Sequence, residues 1–144
     1  MKKIVILNGP NLNLLGNRER DIYGSLTLDN IMDECKSCGD SKKLIIDFFQ
    51  SNNEGEIINK LQESQNYDGV IINPAAFTHS SIAILDALRA IEKPKVEVHL
   101  SNIYNREEYR KKSVTSEGVN GLICGFGSNS YILAIEAIAN LIYK

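Results

Sequence analysis

The fold of this chain is decided by the stretch KKIVILNGP, residues 2–10. Residues 3–7 hold four consecutive apolar side chains and are rich in β-branched residues, which is typical of a strand buried on both faces of a sheet. Asn8-Gly9-Pro10 then favours a turn and ends the strand. Because the apolar run is too short for the core of a signal peptide, it predicts an internal strand rather than a targeting segment.

The same pattern of strand, turn and helix recurs along the chain. Further apolar runs predict strands over residues 44–49, 69–72, 96–100 and 118–124. Helical spacing predicts helices over residues 27–39, 56–65, 80–91 and 128–143, with Gly39 as a stop and Ser128 as a cap. Such β-α alternation indicates a parallel sheet with helices on both faces. Five strands in this length fit a flavodoxin-like doubly wound α/β fold with strand order 2-1-3-4-5. No linker or repeat divides it, so residues 1–144 are predicted to form a single catalytic domain.

Composition narrows the class of protein. The 144 residues are 43% hydrophobic and 24% charged, which excludes a disordered chain or a fibre. A net charge of −2 gives no basic face for nucleic acid. No run approaches the roughly 20 apolar residues of a membrane span. The odd count of three cysteines favours a reducing compartment, so we expect a cytoplasmic protein.

Rare residues collect at one edge of the predicted sheet. Both histidines and all arginines except Arg89 lie at or after the carboxyl ends of strands one, three and four: Arg18, Arg20, His79, His99, Arg106 and Arg110. Ligands of doubly wound sheets bind beyond the carboxyl ends of the strands, so this edge is the predicted polar active site. A single histidine at a strand end is equally well explained as a hydrogen-bonded structural residue. Two histidines at the same edge of the sheet favour a functional role.

Arg18 and Tyr23 share the long polar stretch after the first strand. A guanidinium near a phenol favours the phenolate and lowers a pKa that starts near ~10, which prepares a tyrosine for general-base chemistry. The alternative is that Arg18 joins a solvated salt-bridge cluster with its charged neighbours and that Tyr23 covers the core. Gly16 and Gly24 bound the stretch and suit a lid that closes over a substrate.

Several motifs together are far more specific than any single residue. They are NGPNLNLLG at residues 8–16, NPAAFTHSS at 73–81, EVHLSN at 97–102, REEYR at 106–110 and GFG at 125–127. With Arg18 and Tyr23, they resemble the type II 3-dehydroquinate dehydratases over essentially the whole chain. The resemblance implies a lyase that converts 3-dehydroquinate into 3-dehydroshikimate through an enolate, without metal or cofactor.

The resemblance also implies a role for each site residue. Tyr23 is the general base, Arg18 holds it as a phenolate, and Asn11 positions a water that stabilises the enolate. His99 is the general acid, supported by Glu97. The residues implied to bind substrate are Asn73, His79, Asp86, Leu100, Ser101 and Arg110. Asp86 is reached from a neighbouring subunit, in an assembly expected to be a dodecamer built as a tetramer of trimers.

Two residues depart from the family pattern. Ala75 stands where glycine is common and is expected to shift the backbone near the substrate. Arg20 stands where proline is usual and is expected to loosen the lid. Neither removes a reactive group, so the implied reaction is unchanged.

Other classes of protein remain as alternatives. A flavodoxin-like module that binds flavin or another small ligand shares the fold. Flavin binding needs a phosphate-binding loop rich in Ser, Thr and Gly after strand one, and the loop here is a poor match. A Schiff-base dehydratase needs a lysine in the site, and Lys42, Lys43 and Lys95 precede strands at the opposite edge. Cys35 and Cys38 form a CxxC pair, but redox CxxC motifs begin a helix and this pair ends one.

Overall fold

The computed structural model describes residues 1–17, 21 and 24–144. The strands of this part of the chain form one parallel sheet in the order β2-β1-β3-β4-β5, which confirms the predicted order. They are β1 (Lys2–Asn8), β2 (Leu44–Gln50), β3 (Gly69–Asn73), β4 (Lys95–His99) and β5 (Gly121–Cys124). Strand β4 begins and ends one residue before the predicted range, so Leu100 lies just beyond it.

Helices cover both faces of the sheet, as β1 shows most clearly. In the described part of the chain the α-helices are α1 (Leu28–Ser41), α2 (Glu54–Glu63), α3 (Ile82–Arg89) and α4 (Asn129–Ile142). Successive side chains of a strand point to opposite faces. Ile4 and Ile6 therefore pack with α1 and α4, whereas Val5 and Leu7 pack with α2 and α3. All four side chains are fully buried. No described helix is long and apolar enough to cross a membrane.

Helix α1 corrects the prediction that Gly39 is a helix stop. The helix runs through Gly39 to Ser41, and the residue with a left-handed conformation beyond it is Lys43, with φ of 59°. Gly39 is buried, and a Cβ there would lie 2.5 Å from Cδ1 of Ile46 on β2. The glycine is therefore needed for close packing of helix on strand and not for a turn.

Other element boundaries also differ from the prediction, by one to three residues. Helix α3 begins two residues later than expected, because Ser81 caps it by accepting a hydrogen bond from the Ile84 backbone at 3.0 Å. Strand β5 begins at Gly121, since a 3-10 helix occupies Thr115–Gly118. Ser128 precedes α4 without a capping side-chain hydrogen bond. These boundaries depend on local hydrogen bonds that apolar periodicity does not report.

Candidate active site

A cleft partly open to solvent lies beyond the carboxyl ends of β1, β3 and β4. Parallel register brings these ends together, since Asn8 pairs with Asn73 and Ile72 pairs with Glu97. Seven of the residues predicted for the site line this cleft: Asn11, Asn73, His79, His99, Leu100, Ser101 and Arg110. The cleft is therefore at the edge of the sheet where the sequence predicts a ligand.

His99 and Glu97 form a buried pair at the end of β4. The two residues are two apart on one strand and so share a face of the sheet. The Nε2 atom of His99 lies 2.6 Å from Oε2 of Glu97. Glu97 is completely buried and His99 is 5% exposed. Because Nε2 is engaged with Glu97, Nδ1 is the ring nitrogen left for a ligand in the cleft.

Three hydroxyl groups surround the Glu97 carboxylate. Thr78 donates to Oε2 at 2.7 Å, Thr115 donates to Oε1 at 2.6 Å, and Ser113 reaches Oε2 at 3.2 Å. Burial opposes ionisation, but the hydrogen bonds from His99 and the two threonines outweigh it and hold the pKa of Glu97 below its usual value. The carboxylate is therefore an anion at neutral pH and forms an ion pair with His99 whenever the ring is protonated.

Two asparagines, at the ends of β1 and β3, are hydrogen-bonded to the same buried tyrosine of α4. The Tyr131 hydroxyl donates to Oδ1 of Asn8 at 2.6 Å and accepts from Nδ2 of Asn73 at 2.9 Å. Burial raises the pKa of Tyr131, so the group stays a neutral phenol. Tyr131 thus fixes which side of the Asn73 amide faces the cleft. Sequence reasoning missed this contact because the tyrosine lies 58 residues from Asn73.

The backbone beside Asn73 is strained at Ala75. Its φ is 51°, in the left-handed region that glycine adopts freely. The Ala75 amide donates to Oδ1 of Asn73 at 3.0 Å, which ties the strained turn to the cleft residue. Asn11 also has a positive φ, 68°, which asparagine tolerates better than most residues. The expected shift of the backbone at Ala75 therefore has a physical basis in its Cβ.

Basic side chains line the other side of the cleft. His79 Nδ1 lies 2.7 Å from the Lys112 carbonyl oxygen, so this nitrogen donates and Nε2 is left for a ligand. Arg110 pairs with Glu107 at 3.1 Å between Nε and Oε2. Arg106 also lines the cleft, with its Nε 3.8 Å from the same carboxylate oxygen. Sequence reasoning left Arg106 without a role, although its four-residue spacing from Arg110 was visible.

Three predicted site residues are not among the described residues that line the cleft. Tyr23 and Arg18 lie outside the described residues, as does Arg20. Asp86 is exposed on α3 and is not among the described residues that line the cleft. The role of Asp86 toward a neighbouring subunit stays a prediction.

The described residues do not favour Schiff-base or redox chemistry at this site. No lysine is found among the described residues lining the cleft, which leaves a Schiff base without a nucleophile there. Cys35 is fully buried within α1. Burial, with smaller contributions from Cys38 and Glu34, raises the pKa of Cys35 to about 12. A thiol that stays protonated is a poor redox nucleophile.

A doubly wound sheet with a histidine–carboxylate pair and basic side chains at its carboxyl edge defines an α/β enzyme of the acid–base type. Residues 2–139 match the sequence model of the family described as "Dehydroquinase class II". The chain belongs to this family, which favours a dehydratase over a flavodoxin-like binding module.

Close relatives match over nearly their whole length. A 3-dehydroquinate dehydratase of Clostridium botulinum (strain 657 / Type Ba4) is 61% identical over 141 residues, which are 97% of this chain and 96% of the relative. One of Clostridium perfringens is 54% identical over 142 residues, with coverage of 97% and 99%.

Solved structures of type II dehydroquinases have the same fold. The enzyme of Butyrivibrio crossotus superposes with a TM-score of 0.93 at 45% identity, covering 95% of this chain and 97% of that one. The enzyme of Propionibacterium acnes gives a TM-score of 0.94 at 40% identity and covers 97% of each chain.

Proposed function

We propose that the protein removes water from 3-dehydroquinate to give 3-dehydroshikimate, a step of the shikimate pathway of aromatic amino acid biosynthesis. The relatives described above are named for this substrate. The single observation that carries the proposal is the buried His99–Glu97 pair in a cleft lined by basic side chains. A histidine held by an anionic carboxylate is suited to protonate a leaving hydroxyl group.

The substrate carries a carboxylate, a ketone and hydroxyl groups, and the cleft offers partners for the carboxylate and the hydroxyls. Arg110 presents a planar guanidinium, which suits a carboxylate better than the point charge of lysine. Asn73 and His79 offer amide and imidazole groups for substrate hydroxyls, together with Leu100 and Ser101 just after β4. Fixed donors on strand ends hold a ligand in one orientation and so favour a single reaction.

The reaction we infer proceeds in two steps. Tyr23, held as a phenolate by Arg18, takes the proton beside the ketone, and the electrons of the broken C–H bond form an enolate. Asn11 positions a water that donates a hydrogen bond to the enolate oxygen. His99 then gives a proton through Nδ1 to the departing hydroxyl as the enolate electrons expel it. One water leaves, and a double bond conjugated with the ketone remains.

Glu97 supports this step by stabilising the charged imidazole before the proton is given. It accepts the Nε2–H hydrogen bond in both protonation states of the ring. The hydrogen bond also fixes the tautomer after transfer, with the proton on Nε2 and none on Nδ1. The ring is thereby ready to accept a proton from solvent at Nδ1 for the next turnover.

The same proposal includes an assembly. We infer one catalytic domain per chain and a dodecamer built as a tetramer of trimers, with Asp86 of one chain completing the site of another. The exposed position of Asp86 on α3 supports a shared site. The cytoplasmic location expected from the three cysteines stays a prediction.

The conversion itself is tested by adding 3-dehydroquinate to the purified protein and following the ultraviolet absorbance of the conjugated product. We expect the absorbance to rise, and treatment with borohydride in the presence of substrate to leave activity intact. Absence of product from the wild-type protein would overturn the function. A trapped covalent adduct at a lysine would overturn the mechanism and leave the function standing.

A further inference from the structure

The carboxylate of Glu97 is enclosed by hydroxyl groups that come from outside its own strand. Thr78 follows β3, whereas Ser113 and Thr115 belong to the segment between β4 and β5. Thr78 Oγ1 lies 2.7 Å from Oγ of Ser113 and 2.7 Å from Oγ1 of Thr115, so the hydroxyls also contact one another. Thr78 and Thr115 are fully buried. These contacts occupy both oxygens of the buried anion, and because they come from three separate segments they also fix its orientation.

The two carboxylate oxygens of Glu97 have different partners. Oε1 accepts from Thr115 at 2.6 Å. Oε2 accepts from Thr78 at 2.7 Å and lies 2.6 Å from Nε2 of His99. Rotation of the carboxylate about its terminal bond would break the contacts of both oxygens. Thr115 is therefore the donor that keeps Oε1 turned away from the histidine and Oε2 turned toward it.

The segment that carries Thr115 also reaches the substrate side of the cleft. We call residues 110–115 the strap. Its Val114 amide donates to the Thr78 carbonyl at 2.6 Å, and its Lys112 carbonyl lies 2.7 Å from Nδ1 of His79. It begins at Arg110, which lines the cleft. The strap thus connects residues proposed to bind substrate with the residues that hold Glu97.

We propose that Thr115 is a positioning residue for the proton donor, whose hydroxyl orients Glu97 so that His99 keeps Nδ1 for the leaving group. The proposal rests on the function proposed above. Thr115 is not among the residues lining the cleft, so it acts through Glu97 and His99 and not by contact with substrate. Its loss should slow proton donation and leave substrate affinity nearly unchanged.

The test compares Thr115→Val, which keeps the shape and removes the donor, with Thr115→Ser, which keeps the donor. Ser116→Ala is the matched control, because the Ser116 hydroxyl bonds to the Ser113 carbonyl and not to Glu97. We expect Thr115→Val to lower kcat by about tenfold to a hundredfold, with KM changed less than about threefold. We expect Thr115→Ser and Ser116→Ala to stay within about threefold of the wild-type kcat.

Circular dichroism and Tm establish that each variant is folded. If Thr115→Val does not fold, Thr115→Ala takes its place, since it removes the hydroxyl without placing a second methyl group beside Oε1. An unchanged kcat in a folded variant without the hydroxyl overturns the proposal. So does a rise in KM at constant kcat, which would show that Thr115 acts on substrate binding.

Crystal structures of Thr115→Val and Thr115→Ser provide a readout that does not depend on the reaction. We expect the Glu97 carboxylate to be rotated, with Oε2 moved away from His99 Nε2, in Thr115→Val only. An unchanged Glu97–His99 pair in that variant overturns the positioning role. If the wild-type protein makes no product, the proposed function fails, whereas these structures still decide whether Thr115 orients the pair.

Discussion

Glu97 is the residue on which the chemistry of the cleft most depends. It is completely buried, yet hydrogen bonds from a histidine and two threonines hold its pKa below the ordinary value. An anion in that position orients His99 and stabilises its charged form. The free energy of this arrangement depends on pH, because the native and unfolded states bind a proton on Glu97 with different affinity.

Acid should therefore destabilise the protein through Glu97. A carboxyl whose pKa is lowered by folding contributes stability above its unfolded value, here 4.5, and loses it as the pH falls through the lower native value. Urea unfolding measured from pH 6 to pH 3 is expected to show the free energy of unfolding falling below about pH 4.5.

The matched variant is Glu97→Gln, which has no proton to gain. This variant should have a lower free energy of unfolding at neutral pH, and that free energy should fall less steeply below about pH 4.5. An equally steep loss in the variant would contradict the assignment of this pH dependence to Glu97.

At the scale of elements, the cleft is shaped by how short segments leave the ends of the strands. The turn after β3 carries Asn73, the strained Ala75 and His79 within seven residues. The strap after β4 contacts this turn through the backbone hydrogen bond from Val114 to Thr78 and through the contact of the Lys112 carbonyl with the His79 ring. Side chains of neighbouring elements hold both segments in place. Strain in the turn and packing against it therefore change the positions of the cleft residues.

Ala75→Gly is expected to stabilise the protein. The left-handed conformation costs an alanine roughly 1–2 kcal/mol, and glycine avoids this cost while losing roughly 0.5–1 kcal/mol of chain entropy. The free energy of unfolding in urea should therefore rise by up to about 1 kcal/mol. The neighbouring Ala76→Gly is the control, since Ala76 is not among the residues with positive φ and should lose stability. Destabilisation by both substitutions would contradict the strain at Ala75.

Gly39→Ala tests the packing of α1 on β2. The added Cβ would lie 2.5 Å from Cδ1 of Ile46, so one of the two elements has to move. Overpacking of this kind costs about 1–3 kcal/mol, which urea unfolding measures directly. Gly121→Ala is the control, because a Cβ there meets nothing within 4 Å and should change stability by less than about 0.5 kcal/mol. Equal effects of the two substitutions would contradict the close packing of Gly39 against Ile46.

At the scale of the whole molecule, the fold follows from features that are local in sequence. Alternating apolar runs identify the strands, and β-α alternation fixes a parallel sheet, so the order of β1 to β5 was predictable. The position at the carboxyl edge was predictable for His79, His99 and Arg110, because His99 ends a strand and the other two follow strands. These inferences need no knowledge of distant contacts.

The features of the site that could not be predicted from the sequence depend on contacts between residues far apart in the chain. Tyr131 reaches Asn8 across 123 positions, and Thr115 reaches Glu97 across 18. Serine is frequent in the sequence, and neither the six tyrosines nor the three threonines, Thr27, Thr78 and Thr115, stand in a local pattern that marks a buried hydroxyl. The close approach at Gly39 is likewise decided by Ile46 on a neighbouring strand.

A shared site predicts complementation between inactive variants. If Asp86 serves a neighbour, each site takes Tyr23 from one chain and Asp86 from another. In a mixed assembly, an Asp86→Ala chain supplies a native Tyr23 and a Tyr23→Phe chain supplies a native Asp86, so some sites contain both native residues. Co-expression of the two variants should restore dehydratase activity. The control pair is Tyr23→Phe with His99→Gln, whose residues belong to the same chain, so no site in a mixed assembly is intact. Restoration by neither pair would contradict the shared site.

The most direct test of the central mechanism is exchange of the substrate proton in heavy water, followed by mass spectrometry of 3-dehydroquinate. The account assigns proton removal to Tyr23 and departure of the hydroxyl to His99, so the two steps should separate. His99→Gln, which can still donate to Glu97, should incorporate deuterium into unreacted substrate while forming little product, and Tyr23→Phe should do neither. Exchange that persists in Tyr23→Phe, or that disappears together with product in His99→Gln, would contradict the account.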